Sequence, residues 1–275
     1  MRTALAILIL TPALWSQAPP PGRLVDLGGR SLHLNCTGQG EPAVIVTGAG
    51  YSFDWSLVQP EVAKFTRICT YDPAGFAWSD PGPGPECPDR AADLRKLLSA
   101  AEIKGPYVLA GLSYGALVAR YYAAQHPDDV AAVVMVDHAF LDPGHEPAPP
   151  APGAPVLISQ TPIALTLEDI SNFGNLPRAV RELHRWADSL GPPMPSVDTA
   201  RACAALVEGK TLGAKPLVVV STRNDSPNYA PLQAKLLALS TNHRQIIAEK
   251  SFHAVEIDEP DVVVRAIRLA VESLR

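Results

Sequence analysis

Short apolar runs recur along most of the chain, and stretches with helical spacing separate them. The runs lack polar alternation, which is typical of strands that are buried on both faces. Strands are predicted over residues 31–36, 43–47, 66–71, 107–110, 131–136, 217–220 and 243–248. Helices are predicted over residues 90–101, 116–125 and 261–274. This order predicts an α/β fold with a mostly parallel central sheet and helices on both faces.

One stretch interrupts the alternation, between the strand that ends near residue 137 and the strand that begins near residue 217. It starts Pro-rich, over 143–155, and then has helical patterns over 178–190 and 198–208. An excursion of this length is uncommon within a compact sheet and is typical of lids and binding loops. We therefore expect a cap inserted over 138–215 of a domain that spans 19–275, with a Pro-rich linker over 143–155 as the alternative for that segment.

The first residues have the pattern of a secretory signal peptide. Arg2 supplies a positive charge, an apolar run follows over 4–10, and Ser16 and Ala18 place small residues at alternate positions. The run is shorter than the roughly 20 residues that a membrane-spanning helix needs. We expect residues 1–18 to be a signal peptide, cleaved near Ala18, and the chain to be exported to the periplasm or the medium without a stable membrane anchor.

Composition limits the function classes. With 275 residues, of which 47% are hydrophobic, the chain can bury a full core. The net charge of -5 is spread along the chain, and no Lys/Arg-rich run could follow a phosphate backbone, so nucleic acid is not an expected partner. None of the four cysteines forms a Cys-x-x-Cys pair or has a histidine at ligand spacing, so no metal is expected. Disulfides and buried thiols both remain open for Cys36, Cys69, Cys87 and Cys203.

The segment Gly-Leu-Ser-Tyr-Gly at 111–115 is a candidate nucleophile turn. A serine hydroxyl is a weak nucleophile, so a catalytic serine needs exposure, a nearby base and donors for the oxyanion. Gly-x-Ser-x-Gly supplies the exposure on a tight strand-to-helix turn, and the predicted strand and helix flank the motif here. The pattern is common by chance alone, but its position between these elements favours Ser113 as the nucleophile.

The base and the acid are expected later in the chain. Of the seven histidines, only His253 lies between a predicted strand and the final helix, where a base would reach the serine. The acid should follow a strand, because a carboxylate fixes the tautomer of the imidazole and stabilises its cation. Asp225 fits best and gives the chain order Ser, Asp, His. Asp137, at the end of the preceding strand, is the competitor.

These segments resemble the α/β-hydrolase family from about residue 31 to residue 274. Residues 47–50 occupy the place of the family's His-Gly oxyanion loop, 71–80 resemble its Asp-Arg-x-Gly-x-Gly-x-Ser loop, and 251–253 resemble its Gly-His element. The resemblance implies an oxyanion hole made by the backbone N–H groups of Ala49 and Tyr114. It also implies a structural role for the loop of Asp72. Thr47 replaces the family's histidine, which leaves open which loop amide faces the oxyanion.

The family's strand order implies a disulfide pairing. If the strands that contain Cys36 and Cys69 are neighbours, as that topology implies, the two residues approach the roughly 6 Å between Cα atoms that a bridge requires. Cys87 and Cys203 would then form a second bridge, between the loop before the first long helix and the insertion.

A serine nucleophile implies an acyl-enzyme, so an ester is the expected small-molecule substrate. Epoxide and haloalkane chemistry is disfavoured because the relatives that perform it use aspartate at this position. Acyl transfer or amide and peptide cleavage by the same triad is the alternative, followed by a non-catalytic binding member of the fold. No cofactor is implied, and no feature indicates an oligomeric state. Several apolar side chains are candidates for a pocket that holds an apolar group, although those of the insertion could form its own core: Trp55, Phe140, Phe173, Leu176, Leu183, Trp186 and Leu190.

Overall fold

The computed structural model describes residues 20–138, 167–223 and 229–275. Within these ranges, strands and helices alternate as the apolar pattern predicts. The proposed signal peptide, the Pro-rich segment 143–155, Phe140 and Asp225 lie outside the described residues, so the expectations about them stay predictions.

Eight strands of the described residues form one sheet in the order β1-β2-β4-β3-β5-β6-β7-β8. β2 pairs antiparallel with β1 and with β4, and all other neighbours are parallel, which confirms the mostly parallel sheet. The strands are β1 (Arg23–Asp26), β2 (Ser31–Thr37), β3 (Val44–Val46), β4 (Ile68–Tyr71), β5 (Tyr107–Leu112), β6 (Val130–Val136), β7 (Leu217–Thr222) and β8 (His243–Ala248).

Helices cover both faces of the sheet. Successive residues of a strand point to opposite faces, and neighbours such as Val108 and Leu109 accordingly lie in two different buried clusters. One cluster packs against α2 and α3, and the other packs against α1 and α9. The helices are α1 (Gln59–Val62), α2 (Cys87–Ala100), α3 (Tyr114–Gln125), α4 (Leu167–Ile170), α5 (Arg178–Asp188), α6 (Val197–Leu206), α7 (Tyr229–Leu237), α8 (Val255–Asp258) and α9 (Pro260–Glu272).

The described part of the insertion is helical. It contains α4, α5 and α6 together with a 3₁₀ turn, Phe173–Asn175. Phe173 and Leu176 pack against Ala254 and Ile257 near α8, and α6 packs against α3. Among the described residues, no helix has the length and apolarity needed to cross a membrane.

The parallel strands determine where the site forms. In a parallel sheet the carboxyl ends of the strands share one edge, and ligands bind outside that edge. The loops that follow β3, β5 and β6 therefore converge, and they carry Ala49, Ser113 and Asp137. The segment after β8 adds His253.

Candidate active site

Ser113 lies on a strained turn between β5 and α3. Its φ of 51° and ψ of -119° fall outside the regions that L-residues favour, as expected for a nucleophile that must project from a tight strand-to-helix turn. The Ser113 N–H donates to the carbonyl oxygen of Val136 at 3.0 Å, which attaches the turn to β6. Strain of this kind persists only where the surrounding structure holds it.

Both glycines of the motif are required by close packing. A Cβ atom on Gly111 would lie 2.5 Å from the carbonyl group of Gly115, and a Cβ atom on Gly115 would overlap the carbonyl oxygen of Thr47. The Thr47 hydroxyl donates to the same region, at 2.9 Å from the Gly115 carbonyl oxygen. The Gly-x-Ser-x-Gly pattern therefore reflects a real steric requirement here and is not a chance match.

His253 is paired with Asp137. Its Nδ1 lies 2.5 Å from Asp137 Oδ2, while Asp137 Oδ1 accepts a hydrogen bond from the Thr222 hydroxyl at 3.2 Å. Asp137 has a φ of 35°, and its N–H donates to the Val220 carbonyl oxygen at 2.8 Å. Since an ionised carboxylate can only accept, Nδ1 carries the hydrogen and Nε2 has the free lone pair that a general base needs.

The sequence favoured Asp225 over Asp137 as the partner of this histidine. Asp225 lies outside the described residues, and among the described residues Asp137 is the carboxylate that contacts the His253 ring. Asp137 has a positive φ of 35°, and the local sequence does not predict this backbone conformation or the contact with His253. Asp225 stays a prediction, and the alternative acid has the observed contact.

The loop after β3 presents Ala49 beside the serine. Arg90 Nη1 donates to the Gly48 carbonyl oxygen at 3.1 Å. In a trans peptide the carbonyl and the next N–H point in opposite directions, so this bond directs the Ala49 N–H away from Arg90. Ala49 and Ser113 line the same pocket, and Tyr114, the first residue of α3, has an N–H without a partner inside its helix.

The Asp72 loop contacts neither Ser113 nor His253 in the hydrogen bonds and ion pairs of the described residues. Asp72 Oδ2 lies 2.8 Å from Nδ1 of the buried His33, and its Oδ1 accepts from the Ser52 N–H at 2.6 Å. These contacts link β2, β4 and the turn after β3, which agrees with the structural role that the family resemblance implies.

A pocket of about 450 Å³ contains both Ser113 and His253. Sheet-edge loops, the nucleophile turn, the insertion and α8 each contribute to its wall. The lining residues are Ala49, Gly50, Tyr51, Asp54, Trp55, Leu112, Ser113, Tyr114, Leu167, His184, Asp188, Pro192, Met194, Pro195, Ser196, Val197, Ala200, His253 and Glu256.

The predicted pocket wall is only partly right. Trp55 lines the pocket as expected, whereas none of the five candidate residues of the insertion does. Four of them pack in the buried clusters that join the insertion to the domain, and the fifth is 53% exposed. In chain order these residues are Phe173, Leu176, Leu183, Trp186 and Leu190. Four of these residues therefore pack the insertion against the rest of the domain, which is neither the pocket wall nor a core of the insertion's own.

Sequence reasoning missed a set of buried titratable groups in this pocket. Burial raises the pKa of Asp54 well above its usual range, even though the Tyr51 N–H bonds its Oδ2 at 2.8 Å. Burial, with the nearby Asp54 carboxylate, likewise raises the pKa of Glu256. Burial lowers the pKa of His184 to about 4. These residues are far apart in the sequence and share no spacing pattern, so only the fold reveals that they are neighbours.

Both disulfides implied by the family resemblance are present in the structure. Cys36 and Cys69 are opposite partners on the antiparallel strands β2 and β4, with Cα atoms 4.0 Å apart. Cys87, at the start of α2, is bonded to Cys203 of α6, with Cα atoms 5.6 Å apart, and ties the insertion to the domain. Among the described residues, no group of three or more His, Cys, Asp and Glu side chains could hold a metal ion.

Known proteins share this architecture. A family model described as alpha/beta hydrolase fold matches residues 42–156. The uncharacterized protein YqjL of Bacillus subtilis (strain 168) is 25% identical over 252 residues, which cover 88% of each chain. The 2-hydroxymuconate semialdehyde hydrolase of Pseudomonas sp. (strain CF600) is 31% identical over 128 residues, which cover 44% of this chain and 45% of that protein.

Solved structures extend the match to most of the chain. The epoxide hydrolase CorEH superposes with a TM-score of 0.70 at 18% identity, over 92% of this chain and 99% of that one. At this identity the likeness concerns the fold alone. Together with the eight-stranded sheet and the strand-to-helix turn at Ser113, these matches show that the chain has the α/β-hydrolase fold.

Proposed function

We propose that this chain is a serine hydrolase that cleaves carboxylic esters through an acyl-enzyme. The observation that carries the proposal is the contact between His253 Nδ1 and Asp137 Oδ2 in the pocket that also contains the strained Ser113. A nucleophile, a base and a group that orients the base are the three parts of an activated serine. In this proposal Asp137 is the orienting acid, in place of Asp225.

The first half-reaction forms the acyl-enzyme. His253 Nε2 removes the proton from Ser113 Oγ as the oxygen attacks the ester carbonyl carbon, and the negative charge moves to the carbonyl oxygen. The N–H groups of Ala49 and Tyr114 donate to this oxyanion. The intermediate then collapses, the bond to the alcohol oxygen breaks, and the proton on His253 passes to the departing alkoxide. Asp137 stabilises the imidazolium while it exists.

The second half-reaction regenerates the serine. Water attacks the acyl carbon while His253 Nε2 takes its proton, and the same two amides hold the oxyanion. Collapse breaks the bond to Ser113 Oγ, which recovers its proton from His253, and the carboxylic acid leaves. No step in this cycle needs a group beyond these side chains, the two amides and water.

Two other reactions follow from the named relatives. Opening of an epoxide by a serine would give an ether, which water does not hydrolyse under these conditions, so a Ser113 nucleophile disfavours that reaction. Hydrolysis of a carbon–carbon bond next to a carbonyl group is compatible with a serine nucleophile. The relative from Pseudomonas is named 2-hydroxymuconate semialdehyde hydrolase. Amide cleavage and acyl transfer differ from the proposal only in the leaving group or the acceptor.

A fluorophosphonate probe and a series of p-nitrophenyl esters test the assignment. We expect the wild-type protein to be labelled and to release p-nitrophenol, and Ser113→Ala to lose both the label and at least about 10³-fold in kcat/KM. Thr222→Ala, which alters a neighbour of the triad without removing a member, is a folding control that should still be labelled. Equal labelling of wild type and Ser113→Ala would refute the role of Ser113.

A further inference from the structure

The pocket contains a second group of polar side chains that the proposed triad does not use. Glu256 lies in α8, three residues after His253, and is only 1% exposed. Both of its carboxyl oxygens are buried without a hydrogen-bond partner among the described residues, although the side chain lines the pocket. A buried carboxyl group in this state is costly unless a ligand satisfies it.

Asp54 and His184 occupy the same wall. Asp54 Oδ1 lies 3.3 Å from His184 Nε2, outside hydrogen-bond geometry, and neither atom has a hydrogen-bond partner among the described residues. His184 is 1% exposed. Asp188, one turn further along α5, accepts a hydrogen bond from the Tyr51 hydroxyl at 2.7 Å and also lines the pocket.

When they are ionised, the acids on this wall all carry a negative charge. Three carboxyl side chains, those of Asp54, Asp188 and Glu256, line the pocket, and none of its described lining residues is Lys or Arg. The acids repel one another when they are ionised: besides burial, Asp188 contributes to the raised pKa of Asp54, and Asp54 contributes to that of Glu256. His184 supplies no compensating charge near neutral pH, because burial lowers its pKa to about 4.

We propose that Asp54, Asp188 and Glu256 form a subsite for an ammonium group, so that the preferred substrate is an ester that also bears a primary amine. The inference rests on the proposed function and specifies its substrate class. An ammonium group has three donors, which match carboxyl oxygens that lack partners, and its charge offsets the repulsion among the acids.

A negatively charged substrate does not fit this wall of the pocket. A carboxylate-bearing substrate would meet three acids and no Lys or Arg among the described lining residues. A neutral hydroxyl group could satisfy one unpartnered oxygen but would not offset the negative charge of the acids when they are ionised. The subsite therefore selects a cation, and the apolar lining near Trp55 and Leu112 accommodates the carbon chain that connects the amine to the ester.

The test compares methyl esters that differ only in the terminal group. Methyl ω-aminoalkanoates with three to eight chain carbons are assayed at pH 8 beside matched esters in which a methyl, a hydroxyl or a carboxylate replaces the ammonium group. At one or more chain lengths, kcat/KM should be at least tenfold higher for the amine than for the methyl analogue, and lowest for the carboxylate. An equal or higher kcat/KM for the methyl or hydroxyl esters at every length would overturn the subsite while leaving ester hydrolysis intact.

Substitutions of the pocket acids test which residues cause the preference for amine esters. Glu256→Gln and Asp54→Asn should each lower the ratio of kcat/KM for the amine ester to that for its methyl analogue by at least fivefold. A ratio is used because it cancels any general loss of activity. Glu182→Gln is the matched control: it removes one exposed acid from the same helix as His184, outside the pocket, and should leave the ratio unchanged. An unchanged ratio in both pocket variants would refute the assignment of these residues.

Binding without catalysis separates this inference from the proposed function. Hexylammonium chloride is titrated calorimetrically into Ser113→Ala, with hexanol and hexanoate as matched ligands. We expect hexylammonium to bind at least tenfold more tightly than either of them, and Glu256→Gln in the same background to remove the difference. This result holds even if no ester is hydrolysed, whereas ester hydrolysis without ammonium selectivity would contradict the subsite alone.

Discussion

Asp137→Asn removes the charge that faces His253 and preserves the size of the side chain. The contact between His253 Nδ1 and Asp137 Oδ2 is 2.5 Å, and the side chains are 28% and 11% exposed. With charge centres about 4 Å apart and an effective dielectric of about 20, the carboxylate stabilises the imidazolium of the transition state by roughly 4 kcal/mol. Since about 1.4 kcal/mol corresponds to a factor of ten, kcat should fall by about 10³-fold.

The tautomer of His253 adds to this loss. The amide nitrogen of an asparagine donates, so it favours the imidazole form with its lone pair on Nδ1 and its hydrogen on Nε2. That form cannot accept the proton of Ser113, and the fall in kcat therefore equals or exceeds the fall that removal of the charge alone would cause. KM should change little, because Asp137 does not line the pocket among the described residues.

The assay measures kcat and KM for one p-nitrophenyl ester across pH 5–9, with Asp225→Asn as the matched control. Asp225→Asn should retain kcat within about fivefold. Urea midpoints of both variants separate loss of chemistry from loss of folding. The assignment is refuted if Asp225→Asn loses about 10³-fold while Asp137→Asn stays near wild type, and a comparable loss in both contradicts a single orienting acid.

Two further predictions concern Arg90 and His184. Arg90→Lys retains the positive charge but loses the geometry that holds the Gly48 carbonyl, so kcat should fall about 10- to 10²-fold with KM unchanged; parallel changes in kcat and KM would contradict a role in positioning the Ala49 amide. Burial lowers the pKa of His184 from 6.5 to about 4, so the unfolded chain binds a proton that the folded chain does not. Stability should therefore fall by about 3 kcal/mol as the pH drops from 7 to 4. Urea unfolding should show a smaller fall for His184→Gln, and equal falls would contradict the assignment.

The sequence predicts most strands of the sheet correctly and predicts the short elements outside its centre less well. Short strand-like segments locate seven strands, and the one over 243–248 matches β8 at both ends. β1 was missed because its four residues are mostly exposed and contain only two apolar side chains. The helix α7 was missed because it contains Pro231, and because the turn-forming residues that precede the helix favour a loop. Short elements at the edge of a fold depend on tertiary contacts that local patterns do not report.

Some residues of the site are also identifiable from local sequence, and others are not. Ser113 and His253 are recognisable because a strand-to-helix turn and a strand-to-helix loop impose local requirements, such as the absence of a Cβ atom at Gly115. The contact of Asp137 with His253 joins residues that are 116 positions apart in the chain, so a local sequence pattern does not identify it.

No local sequence pattern identified the buried titratable residues of the pocket. Asp54 follows β3, His184 belongs to the insertion, and Glu256 follows β8. Asp54 and Glu256 would ordinarily be interpreted as solvated surface residues, because Asp and Glu are rarely buried without a partner. Among the described residues, Asp54 Oδ1, both ring nitrogens of His184 and both carboxyl oxygens of Glu256 are buried without a hydrogen-bond partner, which has a cost to stability that the fold alone does not explain. A positively charged substrate offsets that cost when it binds, so Glu256→Gln should stabilise the free protein at pH 8 while weakening its preference for amines.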